Sequence, residues 1–167
     1  MKTCVVGTIA MMIEKHGKRD ESGVIRKRGF IVDFRTFKTK RVKFSSYSAE
    51  LLGLRLGATL MDGFRFEIEQ TMKRSFTDIT VTDSISAIRR IFNPIAPSIE
   101  EECGRELVHL QDRQVDKRGS SSFGFSPDEW NVADCFTKQS SSKKMEKLFN
   151  TMEGEWVCPA VDFQEYK

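Results

Sequence analysis

Residues 123–138 of the chain read FGFSPDEWNVADCFTK, and this stretch carries the strongest pattern in the sequence. Aromatic side chains recur through it, and two acidic residues follow Pro127 directly. Asp134 stands between Ala133 and Cys135, in a segment whose composition predicts a turn or the start of a helix. A carboxylate is a hard oxygen ligand of the kind that Mg²⁺ prefers. Asp134 is therefore a candidate metal ligand, which the rest of the sequence can test.

Composition places the chain among folded globular proteins. It has 167 residues, of which 39% are apolar and 31% charged, and this length is most simply one domain. No apolar run approaches the ~18 residues that a membrane-spanning helix needs, so we expect no membrane partner. The first residues lack a small-residue cleavage site and soon become charged, which predicts a strand rather than a signal peptide.

The cysteine and histidine content argues against a zinc site. No two of the four cysteines form a Cys-x-x-Cys pair, and the chain has only two histidines, His16 and His109. Widely separated cysteines are typical of reduced thiols, so we expect an intracellular protein, with organelles and the nucleus both open as compartments. The net charge of +3 permits contact with nucleic acid without requiring it.

Hydrophobic patterning predicts an ordered series of strands and helices. In chain order we predict strands at residues 3–13, 29–34 and 41–45, a long helix from Ser48, a strand at 78–82, and helices at 85–91, 99–110 and 145–152. A polar turn is expected near residues 38–40, and residues 118–122 have the composition of a flexible linker. This order fits a mixed sheet flanked by helices, and so an α/β or α+β protein.

Three stretches resemble one family. Residues 123–138 resemble the close of the RNase H domain in copia-type retrotransposon polyproteins. Residues 45–52, SSYSAELL, are similar to the start of the first helix in that domain. Residues 81–88, VTDSISAI, are similar to the end of a strand that carries one of its carboxylates. Each motif is short, so the resemblance rests on their order and spacing together.

The resemblance implies an RNase H-like α/β fold, with a mixed five-stranded sheet of three antiparallel and then parallel strands, flanked by helices. Residues 1–138 would form this domain, and residues 139–167 a C-terminal helical extension that packs on it or trails it. The chain begins with Met1 and ends soon after the matched motifs. We therefore expect a piece of a retroelement polyprotein that persists as its own protein.

The resemblance also implies a metal site. Glu50, Asp83 and Asp134 fall on its carboxylate positions, 33 and 51 residues apart, close to the spacing in the family. Such carboxylates would hold Mg²⁺ or Mn²⁺, because hydrolysis of a phosphodiester by two metal ions needs clustered oxygen ligands. Each residue also has a plainer role open to it: Glu50 as a first-turn acid, Asp83 as a helix N-cap that Ser84 could equally supply, and Asp134 as a turn or cap residue.

The first strand has no clear equivalent of the Asp that touches both metal ions in the family. One alignment places that Asp on Thr8 or Ala10, neither of which binds metal well, and another places it on Glu14. Asp20 and Asp33 are more remote candidates. Loss of this carboxylate would remove much of the charge that assembles the ions.

We therefore favour a catalytically degenerate domain that binds RNA or a protein partner, within a ribonucleoprotein complex. The alternative is an active Mg²⁺-dependent ribonuclease H that cuts RNA in RNA–DNA hybrids, with Glu50, Asp83 and Asp134 as ligands and Glu14 completing the site.

Basic residues crowd the predicted second and third strands. Those that we single out as a nucleic-acid-binding surface are Arg35, Lys38, Lys40, Arg41 and Lys43. Exposed lysines and arginines on a strand face can follow a phosphate backbone. They can equally be a solvated face whose charges discourage edge-to-edge pairing, and the sequence leaves both readings open.

Overall fold

The computed structural model has an α/β architecture and describes residues 3–23, 25–42, 46–93, 101–115 and 121–158. Its helices and strands, in chain order, are β1 Thr3–Ile13, β2 Lys18–Arg19, β3 Ile25–Val42, α1 Ser46–Met72, β4 Asp78–Thr82, α2 Ile85–Phe92, α3 Glu101–Val115, β5 Ser121–Phe125, α4 Ser142–Met152 and β6 Glu155–Cys158. Two short 3₁₀ helices, Asp128–Trp130 and Val132–Phe136, lie between β5 and α4. Among the described residues, no helix has the length and apolar character needed to cross a membrane.

The described residues fall into two compact units. Unit 1 contains residues 3–42 and 126–158, and unit 2 contains residues 46–125. Unit 1 holds an antiparallel sheet in which β3 pairs with β1, β2 and β6. Unit 2 holds a parallel pair, β4 and β5. The prediction of an α/β protein with antiparallel and then parallel strands is confirmed, but the six strands among the described residues form two sheets rather than one five-stranded sheet.

The predicted turn near residues 38–40 is wrong, because β3 continues through it to Val42. No Gly, Pro or Asn interrupts residues 30–42, and β1 pairs with this part of the strand on both sides of an irregularity between Lys38 and Val42. The chain does reverse between β1 and β3, where Gly23 has a positive φ of 83° that favours glycine. The two strands predicted at residues 29–34 and 41–45 are therefore one strand, with residues 43–45 outside the described part.

Unit 2 is organised around an apolar core from its helices and β5. The long helix predicted from Ser48 is confirmed as α1, and its residues Leu51, Leu54 and Ala58 are buried. They pack with residues of α2, α3 and β5, namely Ala87, Ile88, Ile91, Leu107, Leu110 and Phe123. The strand predicted at residues 78–82 and the helix predicted at 85–91 are also confirmed.

The prediction of a flexible linker at residues 118–122 is wrong for its last two residues. Ser121 and Ser122 belong to β5, where they pair with Asp78 and Ile79 of β4. Backbone hydrogen bonds to a neighbouring strand stabilise this segment although its side chains have little preference for strands. Residues 118–120 lie outside the described part of the chain.

A buried ion group joins three elements of unit 2. The Asp78 carboxylate at the start of β4 is only 3% exposed. It accepts hydrogen bonds from Arg65 of α1 at 2.7 Å and from Arg113 of α3 at 3.1 Å. Both arginines also pair with Asp62 of α1. Because the buried carboxylate has two guanidinium partners, the group ties α1, β4 and α3 together.

Candidate functional site

Two of the predicted site residues, Glu50 and Asp83, belong to unit 2. Glu50 is half-buried and lies one turn inside α1, so it is not one of the first-turn acids that the helix dipole favours. Asp83 is half-buried and directly follows β4. The N-cap of α2 is Ser84, whose Oγ accepts a hydrogen bond from the backbone N–H of Ala87 at 3.4 Å. The plainer role of Asp83 as the N-cap is therefore taken by its neighbour.

Asp134 belongs to unit 1 and lies in the second 3₁₀ helix. Its backbone is fixed at both ends: its N–H donates to the carbonyl of Asn131 at 3.3 Å, and its carbonyl accepts from the N–H of Thr137 at 3.0 Å. Its neighbour in the same 3₁₀ helix, Phe136, stacks on Phe34 of β3, with ring centroids 5.2 Å apart. These contacts hold the second 3₁₀ helix on the sheet, and the Asp134 side chain within it is 14% exposed.

The Asp134 carboxylate is bound by two ammonium groups. Its Oδ2 atom lies 2.7 Å from Nζ of Lys138 and 3.0 Å from Nζ of Lys144. The same two ammonium groups lie 3.7 and 3.4 Å from Oδ1 of Asp128 in the first 3₁₀ helix. We call these four residues the ion cluster. Its two carboxylates and two ammonium groups give it a formal charge of zero.

Lys144 is the buried cation of the ion cluster. Its side chain is 9% exposed, whereas that of Lys138 is 58% exposed. Lys144 lies in the first turn of α4, which begins after the N-cap Ser141. One turn further on, Lys147 anchors the helix, since its Nζ lies 3.7 Å above the Trp130 ring. Helix α4 is therefore held so that Lys144 points between the two carboxylates.

The electrostatics of the ion cluster shift the pKa values of Asp128 and Lys144 in opposite directions. A hydrogen bond with the Asp134 side chain, helped by the charges of Lys144 and Lys138, outweighs burial and holds the pKa of Asp128 below its ordinary value. Burial alone would lower the pKa of Lys144, but the hydrogen bonds and charges of Asp134 and Asp128 outweigh it and raise that pKa. Both shifts favour the charged forms.

In the ion cluster as folded, the Asp134 carboxylate is paired with lysines rather than presented to a metal ion. A metal ligand must present oxygen lone pairs to the ion, and Oδ2 of Asp134 presents its lone pairs to two ammonium groups. The carboxylate charges are already balanced within unit 1, so little net negative charge remains to attract Mg²⁺ or Mn²⁺.

Strand β1 offers no carboxylate where it meets the second 3₁₀ helix. A side chain at Gly7 would come within 2.7 Å of the carbonyl oxygen of Ala133, next to Asp134. Thr8, the next residue, points to the opposite face of the strand and pairs with Arg35. Ala10 likewise lies opposite Asp33 on β3. Neither face of this part of β1 carries a metal ligand.

Glu14, the predicted fourth ligand, lies at the far end of β1. Its Oε1 atom accepts a hydrogen bond from Nε of Arg28 at 2.6 Å, and its Oε2 atom accepts one from the backbone N–H of Arg28 at 3.1 Å. These hydrogen bonds, the backbone one first, lower the pKa of Glu14. Seven residues separate Glu14 from Gly7, about 20 Å along an extended strand. We therefore leave Glu14 out of the proposed site.

The more remote carboxylate candidates have structural partners. Asp20 accepts hydrogen bonds from the backbone N–H and hydroxyl of Ser22 in the turn before β3. Asp33 accepts a hydrogen bond from Nε of Arg35 at 2.6 Å. Both carboxylates thus stabilise the antiparallel sheet of unit 1.

The predicted nucleic-acid-binding residues do not behave as one set. Arg35 is paired with Asp33, whereas Lys38 is exposed and has no carboxylate partner among the described residues. Lys40 and Arg41 belong to β3, but their side chains lie outside the description, as does the whole of Lys43. Sequence reasoning missed Lys18 and Arg19 of β2, which are exposed and form no salt bridge with a carboxylate in the described ranges.

Sequence reasoning also missed Asp128 and Lys144. Asp128 lies inside the quoted stretch, and its position after Pro127 was the available signal. Lys144 could have been noticed because a lysine in the first turn of a helix opposes the helix dipole, and so needs a reason to be there.

No protein-family model matches the chain, and no curated protein matches it. The likeness to retroelement RNase H domains therefore rests on the three motifs and their spacing. The prediction that Glu50, Asp83 and Asp134 converge on metal ions stays a prediction, with the first two in unit 2 and the third in unit 1.

Proposed function

We propose that the chain is a retroelement-derived RNase H-like domain that has lost catalysis and serves as an RNA-binding module within an intracellular ribonucleoprotein complex. The observation that carries the proposal is the ion cluster, in which the motif carboxylate Asp134 is already paired with Lys138 and Lys144. Metal-dependent hydrolysis would need this carboxylate free to bind an ion.

The loss of catalysis has a second support in β1. Two-metal hydrolysis depends on several carboxylates whose combined negative charge assembles the ions. Along the part of β1 that packs on the second 3₁₀ helix, the chain presents Gly7, Thr8 and Ala10. The carboxylate that the family carries on its first strand is thus missing, and the charge of Asp134 is balanced by the lysines of the ion cluster. Such a site would bind metal weakly.

The RNA-binding part of the proposal rests on basic residues that form no salt bridge with a described carboxylate. Lys18 and Arg19 of β2 and Lys38 of β3 are exposed. By contrast, Arg26 pairs with Glu155 and Arg28 with Glu14. Three phosphate contacts would give modest and strongly salt-dependent binding of single-stranded RNA. Protein partners in the same complex would supply the remaining affinity.

An active Mg²⁺-dependent ribonuclease H is the second candidate function. It is favoured by the position of Asp83, a half-buried carboxylate at the end of a parallel strand that is not spent on capping α2. In this alternative Glu50, Asp83 and Asp134 would be ligands, and Asp134 would have to exchange its two lysines for metal.

A cleavage and binding assay separates the two candidates. The chain is incubated with a labelled RNA–DNA hybrid and with Mg²⁺ or Mn²⁺, beside an Asp83→Asn variant, and RNA binding is followed by fluorescence anisotropy. We expect RNA binding without cleavage in either metal. Cleavage that Asp83→Asn abolishes would establish the enzyme instead. Absence of both cleavage and binding would overturn the RNA-binding proposal and direct the search to protein partners.

A further inference from the structure

We propose that the Lys144 ammonium is a built-in cation that takes the place of a metal ion between Asp128 and Asp134. This inference rests on the proposed function, since it gives the reason why the domain has no use for a metal there. It makes a claim that catalytic loss alone does not: removing the lysine should create a divalent-cation site.

The geometry supports a single shared position. Nζ of Lys144 lies 3.0 Å from Oδ2 of Asp134 and 3.4 Å from Oδ1 of Asp128, so one point is within reach of both carboxylates. Divalent ions bind carboxylate oxygens at about 2.0–2.6 Å. Closing those two distances by about 1 Å would convert the ammonium position into a two-carboxylate metal position.

The position of the Lys144 ammonium is unfavourable in free energy unless the two carboxylates pair with it. Its ammonium is largely withdrawn from water, and it lies near the N-terminus of α4, where the helix dipole disfavours a positive charge. The two carboxylates offset both costs, which explains why a lysine can occupy this position.

Lys138 differs from Lys144 and does not have the same role. Its side chain is mostly exposed, and it is four residues from Asp134. A long exposed side chain can leave Asp134 at little cost in free energy, so Lys138 does not by itself exclude a metal ion. Lys144 is the residue whose removal should matter.

Manganese binding tests the inference. Mn²⁺ binding is measured by isothermal titration calorimetry and by the loss of the free Mn²⁺ electron paramagnetic resonance signal, in wild type, Lys144→Ala and Lys143→Ala. Lys143 is an exposed neighbour in α4, so its variant carries the same change in net charge outside the ion cluster. We expect Lys144→Ala to bind Mn²⁺ at least tenfold more tightly than the other two, and adding Asp134→Asn to abolish the gain.

Thermal unfolding gives a second readout. Mn²⁺ should raise the melting temperature of Lys144→Ala but not that of Lys143→Ala, because a ligand that binds the folded state stabilises it. If the alanine variant does not fold, Lys144→Gln carries the test, because it removes the charge while keeping a hydrogen-bond donor near the carboxylates. A folded variant that binds Mn²⁺ no better than Lys143→Ala overturns the inference.

The two proposals fail separately. Cleavage of the hybrid by wild type would overturn the proposed loss of catalysis, whatever Lys144→Ala binds. Unchanged Mn²⁺ affinity in Lys144→Ala, with no cleavage by wild type, would leave the proposed function in place and reduce Lys144 to a structural ion-pair partner.

Discussion

The effect of the Asp134 carboxylate on the free energy of unfolding distinguishes a metal ligand from an ion-pair partner, because the two roles predict effects of opposite sign. In a site that awaits metal ions, neighbouring carboxylates repel each other, and a neutral replacement relieves that repulsion. In the ion cluster the opposite holds, because Asp134 is the nearest partner of the buried Lys144 ammonium. Which behaviour the protein shows is an equilibrium property that needs no assay of activity.

We therefore predict that Asp134→Asn destabilises the metal-free protein by about 1–3 kcal/mol, because it weakens a charge-assisted hydrogen bond to a buried ammonium. Urea unfolding with EDTA present measures the difference. The matched control is Lys138→Ala, which removes the exposed partner of the same carboxylate and should cost at most about 1 kcal/mol. An Asp134→Asn variant more stable than wild type would contradict the neutral ion cluster.

The ion cluster also predicts a pH window. The pKa of Asp128 is lowered, so its contribution is present above its ordinary value of 3.8 and is lost as the pH falls through the lower, folded-state pKa. The pKa of Lys144 is raised, so its contribution is present below its ordinary value of 10.5 and is lost as the pH rises through the higher, folded-state pKa. The cluster should thus stabilise the protein throughout the intervening range.

Melting temperatures of wild type and Lys144→Ala across pH measure that window. We expect their difference to be constant from about pH 5 to 9, to shrink in acid as Asp128 protonates, and to shrink above pH 10.5 as Lys144 loses its proton. Lys143→Ala should follow wild type at every pH. A difference between wild type and Lys144→Ala that does not change with pH would mean that Lys144 acts by packing alone.

At the scale of elements, hydrophobic periodicity is sufficient to predict a helix or strand whose formation depends mainly on its own residues. The stripe containing Leu51, Leu54 and Ala58 predicts α1, and the β-branched residues of β4 predict a strand, because both patterns are local. Strand β3 was divided by a false turn, since a polar run resembles a turn until a partner strand is known. Strand β5 could not be predicted from its own residues for the same reason, because its stability comes from hydrogen bonds to β4.

In the candidate site, too, the sequence predicts local features but not contacts between residues of different elements. Asp134 could be singled out from its motif, but its pairing with Lys144 joins a 3₁₀ helix to the start of α4. The partner of a side chain depends on how two elements pack, and no spacing within either one encodes it. The same holds for Glu14, whose Arg28 partner is known only once β1 and β3 pair.

The packing of β1 on the second 3₁₀ helix depends on the absence of a side chain at Gly7. A Cβ there would lie 2.7 Å from the Ala133 carbonyl oxygen and 2.8 Å from the Thr137 side chain. Backbone cannot yield as a flexible side chain can, so we predict that Gly7→Ala destabilises the protein by about 1–3 kcal/mol. Chemical unfolding, with the Trp fluorescence followed as denaturant is added, measures the loss.

Gly63→Ala is the matched control for that substitution. Gly63 lies in α1 with nothing within 4 Å of its would-be Cβ, so the same change should stabilise the helix by about 0.5–1 kcal/mol. Equal effects of the two substitutions would contradict the close approach of β1 to the 3₁₀ helix.

At the scale of the whole molecule, a net charge of +3 is too small for the overall field to hold RNA. Any binding must come from local phosphate contacts, for which Lys38 is a candidate because it is exposed and forms no salt bridge with the described residues. We predict that Lys38→Ala lowers the slope of log K against log salt concentration by about 0.7, the value for one contact to a single strand. Lys143→Ala removes the same charge from α4 and should leave the slope unchanged. Equal slopes for both variants would move the RNA contact away from β3 and leave this strand as a solvated sheet face.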